Sequence, residues 1–431
     1  MSGIAIGISG IIALVVLLAI RTPVAIALIT VSFLGLTILL DTNAAWSILN
    51  TVPYEFSASW TLSAVPMFLM MGYISFKSKM TGSLFDVAKS LFSWMPGSLA
   101  ISSVFACTGF ASVCGSSIAT AAAMGRISIP EMVRGGYNAN IACGAVAAGG
   151  TIGALIPPSI ILIIYGIFAQ TSVLDLFVGG IGVGLLTAAC YIGAILAMAA
   201  LRPDLIPRRL EKVDIPPLGA SLREAAPVLI LILIIFGGLF SGVFTATEAG
   251  AVGAVAAIAI GAATRKITFR DVVESLVETG MTCAGLFIIA IGATMLTRFL
   301  AISGTGSFIL SLVDGFQLGY WELMLAIILV YLVLGMFMDP IGCLLLTLPI
   351  FLPIAKVYDL DSIWFGVLVA KLLEIGMITP PFGLNVFVIR GLVGRLTSLT
   401  GIFKGVVPFL AADLVVILLM IAVPGIVTIW Q

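Results

Sequence analysis

The chain of 431 residues is 61% hydrophobic and only 9% charged, where a soluble domain carries roughly a quarter charged residues, so it reads as a membrane protein with no room for a soluble catalytic domain. Its 20 basic and 20 acidic residues balance, which leaves no electrostatic footprint for a nucleic-acid partner. Histidine is absent, removing the commonest metal ligand and the usual proton relay near neutral pH. The six cysteines lie apart with no CxxC pair and read as small packing residues.

A helix needs about 20 apolar residues to cross the hydrocarbon core. In chain order the candidate spans are residues 3–20, 23–40 and 60–76, then 139–169 and 174–200. After a polar linker at 201–225 come 227–244, 248–263, 279–299, 365–390 and 406–430. The start of the chain lacks the basic residues and cleavage site of a signal peptide, so 3–20 reads as a first span. Residues 84–94 are amphipathic, with Leu84, Val87, Ala88, Leu91 and Phe92 on one face and Asp86 and Lys89 opposite. That pattern predicts an arm helix in the cytoplasmic interface, mirrored by 307–313 in the periplasmic one.

Two further apolar stretches, 98–129 and 320–354, are broken by Cys-Gly-Ser-Ser and Met-Asp-Pro. Each is too short for two spans and too long for one, which predicts re-entrant hairpins, because broken backbone survives at membrane depth only when protein or a watery cavity surrounds it. With both hairpins entering and leaving on one side, the Lys and Arg residues segregate. Only Arg298 and Lys356 fall on the poor side, and Lys371 falls within a span. The positive-inside rule makes the rich side cytoplasmic and predicts both termini in the periplasm.

A shift of 223 residues superimposes landmarks: Pro157-Pro158 on Pro380-Pro381, Gly153 on Gly376, Pro130 on Pro353, Thr22 on Thr245 and Phe85 on Phe308. The chain then divides into a first repeat (1–200, with hairpin 98–129 and broken helix 139–169), the cytoplasmic linker 201–225 and a second repeat (226–431, with hairpin 320–354 and broken helix 365–390). Five spans per half, an odd number, imply that the second copy is inverted. Inverted repeats with broken helices are the architecture of secondary transporters; a duplicated scaffold without transport is the plainer alternative.

Proline removes an amide donor and glycine tolerates unwound backbone, so breaks at Gly149–Ser159 and Gly376–Asn385 free carbonyls for a hard cation such as Na⁺ and expose a helix N-terminus suited to a carboxylate. A proline kink filled by its neighbours is the bland alternative. The first hairpin tip carries Ser112, Cys114, Gly115, Ser116 and Ser117, whose hydroxyls serve an ion, a substrate or helix packing. The second carries Gly335, Met338, Asp339, Pro340 and Gly342, and a carboxylate at that depth is costly and usually functional. Lys371 and Glu374, three apart, read as neutralising one another. Glu248 after Thr245 reads as an ordinary helix start. Asp413 reads either as a partner-subunit contact or as a polar bond between helices.

The segments GSSIATAAAMG (115–125), GGTIGALIPPSIILIIYG (149–166), FTATEAGAVGA (244–254), GMFMDPIG (335–342) and GMITPPFGLNVFVIRG (376–391) resemble the large membrane subunit of TRAP (tripartite ATP-independent periplasmic) transporters. The resemblance spans nearly the whole chain. It implies an all-α polytopic elevator in the bacterial inner membrane that imports an organic anion, such as a C4-dicarboxylate or sialic acid, together with Na⁺. It further implies two partners, a separate small four-helix membrane subunit and a periplasmic substrate-binding protein. By the same resemblance, one sodium site falls on Ser116, Ser117, Gly150, Gly153 and Pro157, and a second on Gly335, Asp339, Gly376, Thr379 and Pro380. Substrate contacts fall on Ser117, Ser159, Asp339 and Asn385. No GxxxxGK[ST] motif is present, which argues against direct ATP drive. A binding-protein-independent sodium/dicarboxylate carrier is the alternative.

Overall fold

The computed structural model describes residues 2–207, 215–315, 318–394 and 396–429. Arg208, Arg209, Lys212 and Arg395, all assigned to the basic side from sequence, lie outside these residues. Among the described residues the chain is helical, without strands. Helices α1 (Gly3–Ala19) and α2 (Val24–Leu39) lead to α3 (Thr42–Ser57), a 3₁₀ turn at Trp60–Ser63 and α4 (Ala64–Lys77). After α5 (Thr81–Phe92) come a helical hairpin, α6 (Ser98–Cys114) and α7 (Ser117–Arg134), a broken helix, α8 (Ala139–Thr151) and α9 (Ile160–Ala169), and the long α10 (Val173–Leu201).

The remainder follows the same order. It runs through α11 (Leu218–Phe240), α12 (Ala246–Ala263), α13 (Phe269–Ile302) and α14 (Thr305–Gly315) to the hairpin α15 (Tyr320–Phe337) and α16 (Pro340–Val357). The broken helix α17 (Ser362–Gly376) and α18 (Leu384–Val393), α19 (Leu399–Ala422) and the short α20 (Gly425–Thr428) complete it. Shifted by 223 residues, α7 lands on both ends of α16, and the start of α8 lands on that of α17.

Apolar composition makes these segments membrane helices, and short polar residues decide where they begin. Thr245 and Glu248 form a reciprocal capping box at α12, as their spacing predicts, and Thr268 and Asp271 form another at α13. Among the described residues, seven helices are long and apolar enough to cross a membrane, or up to 8 if the bent pair α3–α4 counts as one span. The two arms of the second hairpin, 18 residues each, are among the seven.

Two sequence expectations need correction. Residues 60–76 do not stand alone: α3 precedes them and meets the helix at 60–77 at 59°. Asn43, Ser47, Asn50, Thr51 and Glu55 dilute its apolar content and Pro53 interrupts its sequence, which hides α3 from a hydropathy reading. Asp41 nevertheless starts it by accepting the Ala44 amide at 2.8 Å. The matched α13 is a single helix of 34 residues. Lys89 is also not on a free face. It is buried, with Nζ 2.9 Å from Asp86 and 3.8 Å from Glu131 of α7, and lies over the Phe85 ring. On the apolar face Leu84, Val87 and Ala88 are buried, while Leu91 stays exposed.

The centre of the molecule is α8 and α17, which are almost wholly buried. Helix α8 packs chiefly on α7 and on α19, while α17 packs on α15 and α10. The α8–α19 crossing runs backbone to backbone: a Cβ at Gly144 would collide with the Gly405 carbonyl oxygen, and one at Gly405 would collide with that of Asn140. Small residues at helix seams are the usual means of close approach in a membrane. Outer helices such as α1, α11 and α13 present exposed apolar side chains, among them Ile12, Leu233 and Met281, as expected of a lipid-facing surface.

Candidate functional site

Both breaks are built from prolines. Pro157 has no amide for the carbonyl of Gly153, nor Pro158 for that of Ala154. The Ser159 hydroxyl replaces one of these bonds by donating to the Ala154 carbonyl at 2.5 Å, and its oxygen also accepts the Leu162 amide at 3.2 Å to start α9. In the second break the Met377 carbonyl accepts the Asn385 amide at 3.0 Å, and the Gly376 carbonyl accepts that of Thr379 at 3.2 Å. Both Pro-Pro bonds are cis. The breaks differ in access: residues 151–160 are all buried, whereas Pro380, Pro381 and Phe382 are exposed.

Each hairpin tip closes on the broken helix of its own half. In the first half, a Cβ at Gly153 would stand 3.0 Å from the Ser116 carbonyl oxygen and 2.8 Å from Thr120 Oγ1. One at Gly150 would stand 3.1 Å from the Ser117 carbonyl oxygen. Gly115, with φ +63°, lies against the carbonyl of Pro158, and a Cβ there would collide with that oxygen. The structure thus gathers Ser116, Ser117, Gly150 and Gly153, with Pro157 beside them in the break. In the second half Gly335 and Gly376 touch backbone to backbone, and a Cβ at Gly376 would be 2.7 Å from the Gly335 Cα.

Asp339 starts α16, accepting the Gly342 amide at 2.8 Å, just as Ser116, 223 residues earlier, accepts the Ala119 amide at 3.4 Å to start α7. Its carboxylate turns back onto its own helix. Thr379 likewise bonds locally, to the Ile375 carbonyl at 2.6 Å. Loss of an N-cap costs about 1 kcal/mol, so Asp339→Ala should lower stability by that amount in detergent unfolding while Asp339→Asn, another good cap, stays near wild type. Equal stability of all three forms would show that the cap contributes nothing.

Each candidate substrate residue bonds to a different protein group. Ser159 and Asp339 cap helices, whereas Ser117 and Asn385 join the two halves. The Ser117 hydroxyl donates to Glu374 Oε1 at 2.7 Å. Asn385 Nδ2 donates to the Ala147 carbonyl at 3.3 Å, and its Oδ1 is buried without a hydrogen-bond partner among the described residues.

Around Ser117 lies a buried polar chain that sequence reasoning did not assemble. Lys371 is not neutralised by Glu374; its Nζ lies 2.5 Å from Asp413 Oδ1, with both side chains fully buried. Tyr191 of α10 donates to the same carboxylate, 2.8 and 2.9 Å from its two oxygens, and stands 3.2 Å from Thr151 Oγ1 at the end of α8. Asp413 is thus a bond between helices, and Lys371, Asp413, Tyr191 and Thr151 tie α17, α19, α10 and α8 together. The available signal was positional: Cys190 and Asp413 match under the 223-residue shift, on helices that pack together. Buried charges survive only when paired, and this pair uses the cation that Glu374 would otherwise have.

Hairpin tips closing on two proline-broken helices, with a buried ion pair between α17 and α19, make this a polytopic helical membrane protein with broken helices of the kind transporters use. The chain belongs to the tripartite ATP-independent periplasmic transporter family as a DctM component, which matches residues 11–426. It is 35% identical over 393 residues, 91% of each chain, to the C4-dicarboxylate TRAP transporter large permease protein DctM of Pseudomonas aeruginosa. It is also 32% identical over 367 residues, 85% of each, to the sialic acid TRAP transporter large permease protein SiaM of Vibrio cholerae. Among solved structures, the YdaH transporter of Alcanivorax borkumensis superposes with a TM-score of 0.68 at 13% identity over 90% of both chains, a likeness of fold alone.

Proposed function

We propose that this chain is the large membrane subunit of a sodium-coupled importer of a small organic anion, a carboxylate such as a C4-dicarboxylate or sialic acid. The observation that carries the reading is the family membership together with its relatives, which are named as permeases for those two substrates. The site supports it: each broken helix meets a hairpin tip through glycine, leaving hydroxyls and backbone carbonyls at the seam, a donor set that suits a hard cation.

In this reading the two halves are inverted repeats and the hairpins are re-entrant. The hairpins and broken helices slide as one body past the outer helices, carrying anion and Na⁺ together. Ser116, Ser117, Gly150, Gly153 and Pro157 form one sodium site; Gly335, Asp339, Gly376, Thr379 and Pro380 form the other. Ser117, Ser159, Asp339 and Asn385 contact the anion. The partners are a small four-helix membrane subunit and a periplasmic substrate-binding protein, the membrane is the inner membrane, and both termini face the periplasm. An inward sodium gradient drives the cycle, with about 2.3 kcal/mol per charge from each 100 mV of membrane potential.

The test is uptake into proteoliposomes holding this subunit and its small partner, with the binding protein outside. Accumulation that requires both Na⁺ and the binding protein is the expected result. Accumulation without the binding protein would make the chain a self-sufficient carrier, and equal uptake with K⁺ in place of Na⁺ would sink the sodium assignment.

A further inference from the structure

We infer that Glu374 supplies the full negative charge of the sodium site at the first hairpin tip, so that this site is built from both halves of the chain. The inference rests on the sodium-coupled reading above and adds a residue that the motif segments place elsewhere, one turn before the second break. Glu374 is fully buried, and while Oε1 accepts the Ser117 hydroxyl at 2.7 Å, Oε2 has no hydrogen-bond partner among the described residues. Thr120, three residues beyond Ser117 on α7, is buried with its hydroxyl oxygen likewise unpartnered. That oxygen and the Ser116 carbonyl lie 2.8 and 3.0 Å from the point a Cβ on Gly153 would occupy. Helix α17, which carries Glu374, also packs against the 3₁₀ turn Ile152–Ala154 that contains Gly153.

Among the described residues no cation is bonded to Glu374. On its own helix Lys371 is committed to Asp413 of α19 at 2.5 Å, and Tyr191 of α10 is committed to the same carboxylate. The Lys371 ammonium is therefore held by Asp413, and among the described residues the Glu374 carboxyl receives a hydrogen bond from the Ser117 hydroxyl alone. Buried charges require pairing; carboxylate, hydroxyl and carbonyl oxygens with no nitrogen or sulfur donor among them select a hard cation. A small monovalent cation seated against Gly150 and Gly153 balances the charge. Because Glu374 belongs to the second half, its occupancy also ties the first hairpin to α17.

The experiment is thermal unfolding of the detergent-purified protein against Na⁺ concentration at constant ionic strength, with K⁺ as replacement, for wild type, Glu374→Gln, Glu374→Asp and Ser117→Ala. Na⁺ should raise the wild-type midpoint, and its half-saturating concentration should rise about tenfold or more in Glu374→Gln, a loss of about 1.4 kcal/mol. Smaller rises are expected in Glu374→Asp and Ser117→Ala. An unchanged half-saturation in a monodisperse Glu374→Gln protein overturns the inference. Should that variant aggregate, unchanged values in both of the others overturn it equally. A wild type that gains nothing from Na⁺ over K⁺ instead brings down the sodium-coupled reading itself.

Discussion

Lys371→Ala and Asp413→Ala should each lower stability by about 3–5 kcal/mol, the usual cost of stranding one member of a buried ion pair, and should abolish uptake. Both side chains are fully buried 2.5 Å apart, so neither can turn to water when its partner is removed. The combined change Lys371→Met, Asp413→Leu should recover most of the stability, because replacing a buried pair with apolar residues of similar volume is often neutral or better. Tyr191 would keep its bond with Thr151 at 3.2 Å. Unfolding midpoints of the single and double variants, with uptake on the same preparations, check this. Single alanine variants as stable as wild type would show that the pair contributes little to holding α17 against α19.

Gly376→Ala is expected to be the most damaging small change at the second break. The added methyl would lie 2.7 Å from the Gly335 Cα and carbonyl carbon and 2.8 Å from its oxygen. These are backbone atoms of α15 and cannot rotate aside, so the hairpin must retreat from α17. Overpacking of this kind costs about 1–3 kcal/mol, yet uptake should fall by more than about tenfold, since this backbone seam is what closes the proposed second site. Gly391→Ala is the control: it lies on the neighbouring α18 with nothing within 4 Å of the added carbon, and should be neutral or gain up to about 1 kcal/mol of helix propensity. Wild-type uptake by Gly376→Ala would remove the tight Gly335–Gly376 approach from any account of function.

Much of this is legible because proline and glycine leave local marks. The breaks at Pro157 and Pro380, the hairpin tips at Gly115 and Asp339, and the cap at Thr245 depend on a few adjacent residues, so spacing alone locates them. What escapes depends on distant partners. Lys371 and Glu374 share a helix face, and reading along one helix pairs them; the fold gives Lys371 to a residue 42 positions away and Glu374 to one 257 away. Lys89 looks solvated because Asp86 shares its polar face, yet Glu131 on α7 draws the same ammonium inward. Helix α3 escapes for the opposite reason: its N-cap is an ordinary aspartate, but its polar residues keep its hydropathy too low to mark a span.

The seam between α8 and α19 bears on how the chain is made. Tyr191 and Ser117 are synthesised 222 and 257 residues before the carboxylates that complete them. At about 5–20 residues per second, a ribosome leaves Tyr191 waiting for roughly ten to forty seconds. The α8 backbone at Gly144 waits longer still, since Gly405 of α19 fills that part of the seam. Throughout that interval the first half is an unfinished client of the insertion machinery, and a chain truncated before Asp413 has no way to complete itself. The first half therefore reaches its full packing only once α19 is in place.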